Sequence, residues 1–216
     1  IVKQMMYYDP VDPGVREDVE EAERMDELTN RWFLDGIHTG IIREPFGGGE
    51  ELDYLRGSWD FIGVNYYTRT QTTPRLDDPK VLELMMSRMG ETTDMYEVYP
   101  EGFYRQLMSV KKYGKPVYVT ENGIATRDDN QRCRFILVHL REVHRAIRDG
   151  VDLKGYIYWS LLDNFEWSFG FSMRFGLIEV DFETLERKPR PSAYLYRDII
   201  KSNKITAEQF RRYISE

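Results

Sequence analysis

The pattern of hydrophobic and polar positions predicts four short buried strands separated by helices. The strand segments are rich in β-branched and aromatic residues, as expected for strands that are covered on both faces of a sheet. They lie at residues 1–8, 61–67, 116–120 and 155–161. Because strands that alternate with helices form parallel βαβ units, we predict an α/β fold with a parallel sheet.

Helical spacing of apolar residues fills the segments between and after these strands. Residues 14–34 begin with an acidic turn suited to a helix N-terminus, and two further helices end at Gly114 and Gly150. A capping-box sequence at Thr206 opens a last short helix. The stretch 68–99 shows neither pattern, and a connection of this length is usually functional or disordered, so we expect a long loop there.

Composition and charge narrow the class of protein. The 216 residues include 37 acidic and 30 basic side chains, and the net charge of -7 argues against nucleic acid as the main partner. No apolar run approaches the roughly 18 residues that a membrane span needs. With Cys133 as the single cysteine and three scattered histidines, we expect no disulfide scaffold and no metal site.

The first residues of the chain bear on whether the sequence is a fragment and on where the protein is located. The chain opens at Ile1, inside a predicted strand and without an initiator Met. We therefore expect a fragment of a longer protein, whose first residue says nothing about targeting. We expect the whole protein to be cytoplasmic.

Glu121 stands at the end of the third predicted strand, where Asn122 and Gly123 follow. The alternation of side chains predicts that Val117, Val119 and Glu121 share one face. In a (β/α)₈ barrel, catalytic residues lie at the C-terminal ends of the strands. The same sequence is also typical of a polar strand end before an ordinary Asn-Gly turn, so this strand alone leaves both interpretations open.

The fourth predicted strand adds aromatic and acidic residues to this picture. Trp159 lies on one face of the strand, and Glu166 and Trp167 follow in the next loop. A carboxylate accepts hydrogen bonds from neighbouring sugar hydroxyls, and an aromatic ring covers the C–H side of the sugar, although tryptophan is also a common core residue. The second strand turns Asn65 and Tyr67 to one side, where an amide and a phenol can orient a carboxylate.

Five longer motifs occur in order along the chain: DFIGVNYYTRT from Asp60, EVYPEGFY from Glu97, VYVTENGIA from Val117, GYIYWSLLDNFEWSFGFSMRFGL from Gly155 and ERKPRPSAYLY from Glu186. Together they resemble glycoside hydrolase family 1, the family of β-glucosidases and β-galactosidases. The match covers essentially all 216 residues, and the fourth motif is long and highly specific. The sequence GFSMRFG and the compact loops resemble those of archaeal members of the family.

This resemblance implies a fold and a reaction. The fold is a (β/α)₈ TIM barrel, of which residues 1–216 supply strands five to eight as the C-terminal half of a single domain. The reaction is the retaining, cofactor-free hydrolysis of β-linked glucosides or galactosides through a covalent glycosyl-enzyme. In retaining enzymes two carboxylates lie about 5–5.5 Å apart, one as nucleophile and one as acid and then base.

The resemblance also implies roles for individual residues. By position, Glu121 matches the family's catalytic nucleophile, and Tyr67 matches the tyrosine that donates a hydrogen bond to it. The residues that match the sugar site are Asn65, Trp159 near the aglycone side, the Glu166–Trp167 pair that holds the remote hydroxyls, and Phe175. The resemblance implies neither a metal ligand nor a cofactor site.

One departure from the family is serious. The family's acid/base glutamate lies in an Asn-Glu-Pro motif at the end of strand four, and this chain contains no such motif. Strands one to four are missing as well, which leaves two unpaired sheet edges. We therefore expect two partners, the N-terminal half of the same barrel and a β-glycoside or oligosaccharide substrate. Association with further copies of the chain stays open.

Two functions remain in competition at this point. The chain is either half of a working β-glycosidase or a non-catalytic relative that binds carbohydrate or acts as a receptor. The residue at the end of the absent fourth strand distinguishes them. A phosphoglycosidase is disfavoured because Glu166 would repel a 6-phosphate. The motifs do not separate glucoside from galactoside, mannoside or fucoside specificity.

Overall fold

The computed structural model describes residues 1–214. Its strands are β1 (Val2–Pro10), β2 (Ile41–Ile42), β3 (Glu50–Glu51), β4 (Ile62–Thr72), β5 (Val117–Gly123), β6 (Leu153–Trp159), β7 (Ile178–Val180) and β8 (Arg187–Pro189). Its helices are α1 (Arg16–Asp26), α2 (Trp32–Thr39), α3 (Pro79–Ser87), α4 (Pro100–Val110), α5 (Asp129–Arg148), α6 (Pro191–Ser202) and α7 (Ala207–Tyr213). A π-helical turn at Glu27–Arg31 joins α1 to α2.

Strands β1, β4, β5 and β6 form one parallel sheet in that order. This confirms the α/β fold and the four predicted strands. Two strands run further than predicted, because β4 continues to Thr72 and β5 to Gly123. Glu121 therefore lies inside β5, two residues beyond the last apolar position of the sequence pattern at Val119 and one residue before Asn122.

The helices agree with the sequence pattern except in two places. The predicted helices in 14–34, before Gly114, before Gly150 and after Thr206 are all present. The expectation of an unstructured 68–99 segment is wrong, since β4 occupies its beginning and α3 lies within it.

The sequence indicates the missed helix α3 through the residues that cap its N-terminus and not through a stripe of apolar residues. Pro79 occupies the first turn, and the Asp78 side chain accepts a hydrogen bond from the Lys80 amide at 2.9 Å. Leu82 and Met86 are exposed, so the helix buries little apolar surface. The other missed helix, α6, also begins with a proline.

One face of the sheet is buried and the other is open. Ile62, Val64 and Tyr66 of β4 pack in one core with residues of α4 and α5. On the opposite face, Ile157 of β6 is 56% exposed and Tyr118 of β5 is 36% exposed. Removal of apolar surface from water on the helix side is thus the main stabilising contribution, at about 25 cal/mol per Å².

His139 of α5 is buried among aromatic rings behind this sheet. Its side chain is fully buried and stacks on Phe135 with ring centroids 3.8 Å apart. Nδ1 lies 2.9 Å from the Phe135 carbonyl oxygen, so Nδ1 carries the proton and donates it. Burial lowers the pKa of His139 to about 3, so the imidazole is neutral at pH 7.

Because His139 is neutral when buried, the folded protein becomes less stable as the pH is lowered. Below pH 6.5 the unfolded chain binds a proton at His139 that the folded chain does not, so the free energy of unfolding decreases as pH falls towards 3. Between pH 6.5 and pH 5 this difference in proton binding lowers the free energy of unfolding by about 2 kcal/mol. We expect that this part of the pH dependence is absent in His139→Phe. Urea unfolding at both pH values measures this. His144→Phe, at an exposed position on the same helix, is the control and should keep the wild-type pH dependence.

Candidate active site

The C-terminal ends of β4, β5 and β6 bring four of the predicted residues to one rim. In the sheet register, Asn65 lies beside Glu121, and Gly123 lies beside Trp159. The Tyr67 hydroxyl donates a hydrogen bond of 2.7 Å to Glu121 Oε2. Residues that are 54 positions apart in the chain thus meet because parallel strands end at the same edge.

The predicted face of Glu121 is wrong. Val117 and Val119 point into the helix-side core, whereas Glu121 contacts Tyr67 on the open face. The reason is an irregularity in β5, because Val119 to Asn122 spans the same length as Tyr156 to Tyr158 on β6. The extra residue interrupts the alternation of side chains and turns the carboxylate towards the open face.

Thr120 also reaches the open face at this irregularity. Its hydroxyl donates a hydrogen bond of 2.5 Å to Asn65 Oδ1, while Asn122 returns to the helix side and donates to the Tyr66 carbonyl. Two consecutive side chains, Thr120 and Glu121, therefore serve the same site. No sequence signal distinguishes this from regular alternation.

The Tyr67 phenol is a permanent donor. Burial, followed by the hydrogen bond to Glu121, raises its pKa far above the ordinary value for tyrosine. The phenol consequently stays protonated at neutral pH and holds Oε2 of the carboxylate. Among residues 1–214, no donor engages Oε1, and this oxygen is available to a ligand.

The loop after β6 supplies the remaining predicted residues. Trp159 Nε1 donates a hydrogen bond of 3.1 Å to Glu166 Oε1, and Glu166 is buried. Phe175 is buried edge-on against Tyr67, with ring centroids 6.2 Å apart. Trp167 is 83% exposed and adopts a left-handed φ of 46°, a conformation that concentrates at functional sites.

Asp163 anchors this loop, although the sequence pattern did not single it out. Its carboxylate accepts hydrogen bonds from Arg190 Nη2 at 2.9 Å and from the Gly176 amide at 2.9 Å. Burial alone would raise the pKa of Asp163, but these bonds, above all those from Arg190, hold it below its ordinary range. Asp163 stays ionised and fixes both ends of the segment that contains Glu166.

Tyr96 is a second residue that the sequence pattern missed. Its ring lies edge-on to Tyr67 at a centroid distance of 5.8 Å, and its hydroxyl donates a hydrogen bond of 2.7 Å to the Gly123 carbonyl. It belongs to the 68–99 stretch, where the sequence shows no period that would place a side chain.

The described part of the chain offers nothing for a metal or a membrane span. Among residues 1–214, no group of three or more His, Cys, Asp or Glu side chains converges as a metal site. Within the same residues, no helix is both long and apolar enough to cross a membrane.

Comparison with known proteins assigns this arrangement to a family. The profile described as Glycosyl hydrolase family 1 matches residues 1–205. The chain belongs to glycosyl hydrolase family 1. It is 43% identical to the β-galactosidase of Sulfolobus acidocaldarius over 93% of this chain and 42% of that protein. It is 38% identical to β-glucosidase A of Acetivibrio thermocellus over 87% of this chain and 48% of that protein.

Solved family 1 structures have the same fold over the matched region. The β-glycosidase from Pyrococcus horikoshii matches with a TM-score of 0.85 and 41% identity, covering 100% of this chain and 51% of that chain. The β-glucosidase from Thermotoga maritima in complex with glucoimidazole matches with a TM-score of 0.82 and 33% identity. It covers 95% of this chain and 51% of that one. The chain spans about half the length of these family 1 relatives.

The Asp163 anchor yields a prediction about the site loop. We expect Asp163→Asn to lower the free energy of unfolding by about 3 kcal/mol, because it leaves Arg190 without its buried counter-ion. Amide hydrogen exchange in residues 160–178 should accelerate together with this loss. Asp77→Asn serves as the control, since Asp77 is exposed and lies outside this loop, so its loss should change little. Unchanged exchange in 160–178 would show that Asp163 does not hold the loop.

Proposed function

We propose that the chain is part of a retaining β-glycosidase that hydrolyses β-linked glucosides or galactosides through a covalent glycosyl-enzyme on Glu121. The observation that carries this proposal is the hydrogen bond of 2.7 Å from Tyr67 to Glu121 at the rim of the sheet. It orients one carboxylate oxygen and leaves the other for attack. Membership in family 1 and the similarity to a β-galactosidase and a β-glucosidase support the same reaction class.

In the first step, Glu121 Oε1 forms a bond to the anomeric carbon while the bond from that carbon to the leaving oxygen breaks. A second carboxylic acid gives its proton to the leaving oxygen. In the next step the same residue, now a base, removes a proton from water, which displaces Glu121 from the anomeric carbon. The carboxylate of Glu121 is restored, and the sugar retains its β configuration.

The open face around Glu121 has the chemistry of a sugar site. We assign Glu166 to two neighbouring sugar hydroxyls, since a carboxylate can accept both hydrogen bonds. Trp159 orients Glu166 through its indole N–H and offers its ring to the sugar or the aglycone. We assign the exposed Trp167 to a second C–H surface of the sugar, and the buried Phe175 and Asn65 to the wall of the sugar site.

We propose that the proton donor, the acid/base residue, lies outside this chain. The chain has no Asn-Glu-Pro sequence, and its four parallel strands are too few to close a barrel. We propose that residues 1–216 form strands five to eight of a (β/α)₈ domain, and that the N-terminal half supplies the acid/base residue. The coverage of about half of each relative and the open face of the sheet support this arrangement.

A second candidate function is carbohydrate binding without hydrolysis. It would use the same Glu166 and Trp159 pair and would need no acid/base residue. The identity of the side chain opposite Glu121 in the completed barrel separates the two functions. A carboxylic acid there supports hydrolysis, and any other residue supports binding.

Two substitutions in the completed enzyme test the assigned roles. Glu121→Gln should lower kcat by at least about 1000-fold with little change in substrate binding, because the nucleophile is lost without a change in shape. Glu166→Ala should instead weaken binding and turnover together, because hydroxyl contacts tighten towards the transition state. Steady-state kinetics on an aryl β-glycoside and calorimetric binding measure both effects.

The matched control is Glu179→Gln, an exposed glutamate on β7 that should leave both parameters unchanged. If Glu121→Gln kept more than a few per cent of wild-type turnover, the assignment of the nucleophile would be wrong.

The 216-residue chain by itself should be inert and should associate. General acid catalysis typically contributes about 10²–10⁴-fold, and no carboxylate here stands in the matching motif. The edges β1 and β6 and the open apolar face favour pairing with another chain. We expect hydrolysis of an aryl β-glycoside only after mixing with the N-terminal half, and a solution mass above that of one chain without it. Robust hydrolysis by a monomer would contradict this prediction.

A further inference from the structure

A small hairpin at residues 91–98 is attached to the ends of β4 and β5. Thr92 and Glu97 form its bridge, and the Thr93 amide donates to the Tyr96 carbonyl at 2.8 Å across the turn. The Val98 amide closes it on the Glu91 carbonyl at 2.7 Å. We name residues 91–98 the 91–98 hairpin. Its sequence overlaps the EVYPEGFY motif. The first glutamate of that motif, Glu97, has no role in the chemistry described above.

The 91–98 hairpin is anchored by a buried ion pair. Arg69 of β4 donates two parallel hydrogen bonds of 2.8 Å to the Glu97 carboxylate, and its side chain is 4% exposed. Asp9 of β1 accepts a further bond from Arg69, and the Thr68 hydroxyl donates to the Glu97 carbonyl at 2.7 Å. A two-point Arg–carboxylate contact fixes orientation as well as distance, so the hairpin is held rigidly on β4.

The tip of the 91–98 hairpin reaches the Tyr67–Glu121 pair. The Tyr96 ring contacts Tyr67 on one side while Phe175 contacts it on another. The Tyr96 hydroxyl donates to the Gly123 carbonyl, two residues beyond Glu121, and the Asp94 amide donates to the Ala125 carbonyl at 3.1 Å. One element therefore holds both the phenol that orients the carboxylate and the strand end that carries it.

The strand end at Gly123 tolerates little displacement. A Cβ built on Gly123 would lie 1.7 Å from the Trp159 carbonyl oxygen, so the two backbones are in direct contact. Movement of Gly123 would therefore shift Glu121 and Trp159 together. The hydrogen bond from the Tyr96 hydroxyl is the hairpin contact made directly to Gly123, and it opposes this movement.

We propose that the 91–98 hairpin fixes the geometry of the Tyr67–Glu121 pair and that Tyr96 is its positioning residue. The Tyr96 hydroxyl acts through Gly123, and its ring acts through Tyr67. The structural part of this inference concerns the chain alone. Its kinetic consequence, a carboxylate held ready for attack on the anomeric carbon, rests on the proposed function.

The first test follows the Tyr67 hydroxyl in the completed enzyme, in which only this chain is labelled. With tyrosines labelled with ¹³C at Cζ and Tyr67 assigned by Tyr67→Phe, NMR measures the exchange rate of its hydroxyl proton with solvent. We expect Tyr96→Phe to accelerate this exchange at least about ten-fold, since the Gly123 carbonyl loses its donor and the site loosens. Tyr104→Phe is the matched control, because it removes a hydroxyl that donates to Asp149 away from the site. Equal exchange rates in all three proteins would overturn the proposal.

The second test separates positioning from folding or substrate binding in the completed enzyme. Tyr96→Phe should lower kcat about ten-fold with KM little changed. In a Glu121→Gly background, formate replaces the lost nucleophile, and its oxygen bonds to the anomeric carbon as the aryloxide leaves with the bonding electrons. Formate diffuses freely and needs no orientation by the hairpin, so Tyr96→Phe should not slow this formate-dependent turnover.

The outcomes of the two tests distinguish the inference from the function on which its kinetic part rests. Equal slowing by Tyr96→Phe in both backgrounds would overturn the positioning role. If the completed wild-type enzyme hydrolysed no β-glycoside, the proposed function would fail, and the hydroxyl exchange of Tyr67 would decide the inference by itself.

Discussion

Burial of one face of the four-stranded sheet is the constraint from which the site follows. Ile62, Val64 and Tyr66 of β4 must pack against α4 and α5, and this commits Asn65 and Tyr67 to the opposite face. Parallel pairing then brings the ends of β4, β5 and β6 to one rim. Because a shift of one residue would exchange the two faces, the apolar core and the polar rim specify each other.

Buried ionic contacts hold the segments that have little regular structure. Asp163 ties together the loop that contains Glu166, and Arg69 holds the 91–98 hairpin through Glu97. Both are placed at the rim of the sheet, where the apolar core no longer fixes the backbone. Such contacts cost desolvation but are strongly directional, which suits loops that must present side chains in one geometry.

Family membership and the open face of the sheet both support the proposal that this chain is one part of a larger barrel. The family 1 relatives compared above are about twice as long as the matched region. Ile157 and Tyr118 lie on the open face, where barrel strands turn side chains inward. In the proposed arrangement this surface becomes the interior of the enzyme, and Glu121 acquires its acid/base partner there.

The sequence by itself determined the four strands, most helices and the family, because these follow from local periodicity and long motifs. It also singled out Glu121 and Tyr67, which meet at 2.7 Å as the motifs implied. Only the tertiary structure decided that Glu121 leaves the face of Val119, since the irregularity in β5 arises from pairing with β6. It alone placed Tyr96 beside Tyr67, because that contact joins residues 29 positions apart through loop packing, which no local pattern encodes.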